Sequence, residues 1–101
     1  YEHLQEPVDL IRAHPNLVCD LAAYQHVIRE GEPFPYASAL GTVQVLGEGV
    51  GAGRVHWGTD WPCLGRQPYP ELIRALREAP FLSAREVDLV LGGNALRWLE
   101  G

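Results

Sequence analysis

An α/β fold with a parallel sheet is what this sequence predicts, on three observations. Two segments, Leu17–Ala23 and Arg54–Asp60, have the composition of strands, and a helical segment lies between them. A strand–helix–strand order with a crossover of this length joins parallel neighbours, because a short hairpin can only connect antiparallel ones. The first of the two segments is also apolar almost without alternation, as in a strand covered on both faces.

The chain is long enough for one small domain with no internal boundary. It has 101 residues, 47% of them apolar, with three Trp for a packed core. Thirteen acidic residues face eight basic ones, all Arg and none clustered, for a net charge of −5. That balance argues against a nucleic-acid or anionic-membrane partner. No apolar run reaches the ~20 residues of a membrane span, and no secretory signal is visible. The sequence starts at Tyr1 and contains no Met, so a piece of a longer chain is expected. Cys19 and Cys63 match neither a zinc knuckle nor a disulfide framework, which fits reduced thiols and a cytoplasmic protein.

Taken in order, Glu6–Ala13 reads as the end of a helix, broken at His14-Pro15-Asn16 because a residue before proline leaves the helical region. The run Leu17–Ala23 follows as the first strand. After a loop at Gly31–Pro35, Tyr36–Leu46 reads as a helix with Tyr36, Leu40, Val43 and Leu46 on one stripe. The glycines from Gly47 to Gly53 are expected to stop it, and the second strand runs from Arg54 to Asp60. Pro70–Arg77 is amphipathic, with Leu72, Ile73 and Leu76 inward. Ser83-Ala84-Arg85-Glu86 is a capping box, with Leu82 and Val87 as its hydrophobic staple. That helix stops at Gly92-Gly93, and Asn94 is placed to cap a last turn. Two strands leave unpaired edges, so the remaining strands are expected to lie elsewhere.

Asp60 is the residue best placed for chemistry. It ends a buried parallel strand where the chain turns into a loop, and ligands of parallel α/β folds bind at those strand ends. A carboxylate there can bind a divalent cation or take a proton from an attacking water. The same position also suits an Asp that merely caps a turn.

The segment Gly53-Arg54-Val55-His56-Trp57-Gly58-Thr59-Asp60-Trp61-Pro62, followed by a helix and Gly93-Asn94-Ala95-Leu96-Arg97, resembles the C-terminal end of the amidohydrolase-related family. His14-Pro15-Asn16-Leu17-Val18-Cys19-Asp20-Leu21 is similar to the strand that precedes it in that family. The resemblance implies the last two βα units of a (β/α)₈ TIM barrel, with the terminal helices. It implies a metal-dependent hydrolase acting on a lactone, ester, amide or similar carbonyl, with zinc or manganese as the ion, although some members work without one. Asp60 takes the place of the family's last-strand aspartate, a metal ligand or general acid/base. The family's other ligands have no counterpart here. His3, His14, His26 and His56 lie 11, 12 and 30 residues apart, so no close ligand pair exists. Ala22 and His56 depart from the family pattern.

Lesser candidates surround this one. Tyr24, Gln25 and His26 follow the first strand, in the loop lining the same mouth, where Tyr24 and His26 are expected to touch substrate; Trp61 could wall the site. His56 shares strand parity with Asp60 but sits two layers below the mouth, as a core histidine. His14 suits a helix cap, Asp20 an inward, hydrogen-bonded structural role, and Trp57 a place under the helices. Cys63 carries no sign of an activated thiolate. The glycine run mimics a dinucleotide fingerprint but precedes a strand, the reverse of what a phosphate cradle requires. A small-molecule substrate and a homo-oligomer are the expected partners. Two other readings stay open: a decarboxylase of the same superfamily, and a non-catalytic α/β module that pairs through its sheet edge.

Overall fold

A computed structural model describes residues 4–22, 24–59 and 67–101. Helix α1 (Gln5–Ala13) ends at His14 and leads through a turn into strand β1 (Cys19–Asp20). A 3₁₀ turn at Tyr24–Val27 precedes helix α2 (Ala37–Val50), and a second one at Ala52–Arg54 leads into strand β2 (Val55–His56). Helices α3 (Tyr69–Arg77) and α4 (Ala84–Asp88), a segment at Leu89–Gly93 that kinks at Gly92, where the helix is expected to stop, and helix α5 (Asn94–Glu100) complete the described chain.

The expected parallel pairing forms, with Cys19 opposite Val55 and Asp20 opposite His56. Both strands are shorter than their apolar runs. Pairing needs a partner, and each described strand has only one strand neighbour. Instead, the Trp57 amide donates to the Val90 carbonyl at 3.0 Å, so the turn after α4 sits beside the end of β2.

The core fills the space between this sheet and the helices. Val55, Leu72, Ala75 and Leu76 are fully buried in it, with Tyr36, Leu40, Val43 and Leu46 from the predicted α2 stripe beside them. The Ser83 capping box forms reciprocally: the Glu86 amide donates to Ser83 Oγ, and the Ser83 amide donates to Glu86 Oε1.

Three expectations are corrected. Helix α2 does not stop at Gly47. It continues to Val50, and the chain leaves it at Gly51, whose φ of +87° is a left-handed conformation that glycine adopts without a steric penalty. A glycine inside a helix costs only about 1 kcal/mol relative to alanine, and packing overrides it. Here Gly49 lets α1 approach, since a Cβ on it would lie 2.7 Å from Val8 Cγ1.

Asp20 is exposed rather than inward, and its Oδ1 accepts from the Ala22 amide at 2.8 Å. An Asp at a strand end readily folds back on the backbone two residues on.

Asn94 is no cap. It is buried, and its side chain reaches across to the chain entering β2 instead.

Candidate active-site rim

Parallel strands place their carboxyl ends together, and the helices that follow run back from that end. The starts of α2 and α3 do meet: Tyr36, just before α2, donates its hydroxyl to Glu71 Oε2 in the first turn of α3, at 2.5 Å. Burial, with the Glu71 carboxylate accepting its proton, raises the Tyr36 phenol to about 12. Nearby, Glu32 closes the loop before α2. Its two oxygens accept from the Arg29 amide at 3.0 Å and the Ser38 amide at 2.8 Å. The two amides, Ser38 first, hold the Glu32 carboxyl below its ordinary range. Arg74 stacks 4.0 Å over the Phe34 ring, a second tie between this loop and α3.

Beyond its paired residues, β2 still runs close to the first strand. The Leu21 amide donates to the His56 carbonyl at 2.8 Å, and a Cβ on Gly58 would lie 3.3 Å from the Ala22 nitrogen. Thr59, buried, is the last described residue before the rim. Asp60 is its immediate successor. Asp60, Trp61 and Cys63 lie outside the described residues.

Tyr24 opens the 3₁₀ turn after β1, and His26 is exposed on that turn. A cavity of about 180 Å³ lies at this end, lined by Asp20, Leu21 and Ala22 at the strand end, Val27 on the turn, and Thr42 and Leu46 on α2. His26 is not part of its lining.

His56 is the last paired residue of β2, opposite Asp20, and it lines an open cavity beside α5. Its ring meets Trp98 of α5 edge to face, with centroids 6.0 Å apart. His14 ends α1 through its backbone alone: its amide donates to the Ile11 carbonyl, and its own carbonyl accepts from Arg54. Cys19 is half-buried and donates to the Arg54 carbonyl at 3.5 Å. Burial, followed by the neighbouring Asp20, pushes its thiol up, the opposite of an activated nucleophile. Trp57 packs against Tyr69 and donates its indole N–H to the Tyr69 hydroxyl at 3.0 Å, beneath the helices as expected.

The sequence reading missed the network at the start of β2. Asn94 Nδ2 donates to the carbonyls of Ala52 (2.7 Å) and Val55 (2.9 Å), while Arg97 donates to Asn94 Oδ1 (3.0 Å) and Gly53 O (3.3 Å). Arg54 donates in turn to the Leu17 carbonyl through Nε and an η nitrogen. The Gly-Asn-Ala-Leu-Arg run was the available signal, and it points to a cap as readily as to a clamp.

The described residues do not by themselves fit a divalent ion. Among them, no three His, Cys, Asp or Glu side chains converge. Asp20 already serves the Ala22 amide, His26 is exposed on the turn after β1, and the His56 ring faces Trp98 of α5. Asp60, the ligand expected from the sequence, lies outside the described residues.

A parallel α/β chain with a buried strand ending at a rim of loops and helix starts belongs to the class that binds ligands at that rim. The amidohydrolase family matches the chain over residues 1–101, and the chain belongs to that family. No curated protein and no solved structure matches it. Among the described residues, no helix is long and apolar enough to cross a membrane.

Proposed function

We propose that the chain is the C-terminal segment of a single (β/α)₈ amidohydrolase barrel, in which water attacks the carbonyl of a lactone, ester or amide. The observation that carries this reading is the family match over the whole chain, on a sequence whose second parallel strand runs into Asp60. Among the described residues each strand has a single strand neighbour, which supports a larger sheet around the pair.

Asp60, at the rim, accepts a proton from the water as its oxygen bonds to the carbonyl carbon. It then returns that proton to the leaving oxygen or nitrogen as the tetrahedral intermediate collapses. Trp61 follows Asp60 in the chain, Tyr24 and His26 lie on the turn after the neighbouring strand, and all three are proposed to contact a small-molecule substrate. Amidohydrolases commonly employ divalent metals, and such an ion, zinc or manganese, would supply Lewis acidity at the rim. Asp60 is the one candidate ligand this segment would offer it, and the others would come from the rest of the barrel. A cytoplasmic homo-oligomer remains the proposed form.

The test is a substrate panel of lactones, esters, amides and unsaturated carboxylic acids, applied to the intact parent protein. Conversion of the carbonyl substrates to their carboxylic acid products, followed by chromatography, supports the hydrolase. Carbon dioxide released from the carboxylic acids, without hydrolysis, replaces it with the decarboxylase.

A further inference from the structure

A second cluster stands where α5 packs against the start of β2. Arg54, His56, Arg97 and Trp98 line one open cavity of about 370 Å³, together with Pro15 and Val18 from the approach to β1. We propose that Arg54, Arg97 and His56 form, against the Trp98 ring, a binding site for a small oxyanion, a carboxylate or a phosphate.

The first argument is charge. The chain carries a net −5, yet two of its eight basic side chains share this cavity. Among the described residues neither makes an ion pair, whereas Arg74 and Arg77 pair with Glu78 and Asp88. Asp20 is the register partner of His56, but its Oδ1 accepts from the Ala22 amide two residues on, and it does not line this cavity. Gly101, whose carboxylate ends the sequence, also lines the cavity but forms no ion pair with either guanidinium, which leaves their charge for a bound anion to neutralise.

The second argument is geometry. Both guanidiniums are fixed by backbone carbonyls, Arg54 by those of His14 and Leu17, and Arg97 by that of Gly53 and by the Asn94 side chain. Those bonds use Nε and one η nitrogen of Arg54 and a single η nitrogen of Arg97. The other N–H groups make no hydrogen bond to a described residue. Arginine side chains held in place with donors to spare lose little entropy when they bind a planar or tetrahedral oxyanion in a two-pronged contact. Trp98 is 66% exposed, and its face gives the carbon skeleton of such a ligand an apolar wall.

The site is independent of the hydrolase reading, since no residue in it belongs to the rim. Its test is an NMR titration of the intact parent protein, ¹⁵N-labelled on arginine and tryptophan, with sodium phosphate, sodium acetate and, as a control, sodium chloride. We expect saturable shifts of the Arg54 and Arg97 Nε–H signals and of the Trp98 indole signal, with millimolar affinity. Saturation by phosphate alone identifies a phosphorylated ligand, and saturation by both anions a carboxylate. Arg97→Gln should weaken binding by about tenfold or more, the effect of losing a charge-assisted contact. If that variant loses the dispersion of a folded chain, Arg97→Lys replaces it, keeping the charge without the fork, with an expected weakening of at least about threefold. Non-saturating shifts, equal shifts with chloride, or unchanged affinity in the folded variant would overturn the proposal.

Discussion

Asn94 satisfies two buried backbone carbonyls, those of Ala52 and Val55, with the two hydrogens of one amide nitrogen. An alanine there leaves both acceptors unpaired where the side chain is 2% exposed, so Asn94→Ala should destabilise the chain by about 2–4 kcal/mol. Urea unfolding measures this as a lower midpoint at unchanged slope. Asn94→Asp should cost at least as much, because a carboxylate would face two carbonyl oxygens. Tyr36 gives a pH-dependent counterpart. Its phenol titrates near 12 in the folded chain against an ordinary 10, so the folded state favours the protonated form. The resulting stability is complete below pH 10 and is lost as the pH rises from there through about 12. Tyr36→Phe should remove that dependence along with about 1 kcal/mol at neutral pH, which denaturation at pH 8 and pH 11 would compare. Residue by residue, the sequence disclosed the burial of the α2 stripe, because helical spacing alone places it. It did not disclose the partners of Asn94, since the two carbonyls it holds lie about forty positions away and carry no side-chain signature.

Helix α2 illustrates the same limit for whole elements. Its glycines predicted a stop at Gly47, whereas packing against α1 carries the helix to Val50. A Cβ at Gly49 would press on Val8, a β-branched side chain that is itself 4% exposed and has little room to turn. Gly49→Ala should therefore cost about 1–3 kcal/mol through overpacking, although alanine is the better helix former. Gly47→Ala, where nothing stands within 4 Å, should stabilise the helix instead. Thermal unfolding of the two variants should move the midpoint in opposite directions. Strand existence and direction were legible because a strand–helix–strand order permits one handedness and one orientation. Strand length was not, because pairing depends on neighbours. The α4 start was legible to the residue, since a capping box is a local motif.

At the scale of the whole molecule, the structure is a parallel pair of strands with helices packed on it, ending at a rim where the starts of α2 and α3 are tied by Tyr36 and Glu71. Family membership gives this arrangement its chemical meaning, and the Gly-Thr-Asp-Trp-Pro and Asn-Ala motifs made the family legible from the residues themselves. The substrate, and the ligands that would join Asp60, were not legible here because they depend on residues brought together by folding. The most direct measurement is the turnover of Asp60→Asn in the intact parent, with the fold checked by circular dichroism. Asparagine keeps the shape and can still cap a turn, but it can neither accept the proton of an attacking water nor carry a negative charge. Loss of at least about a thousandfold in kcat is the predicted result, of the order expected for a group serving as both acid and base. A folded variant that turns over at the parent rate would contradict the account.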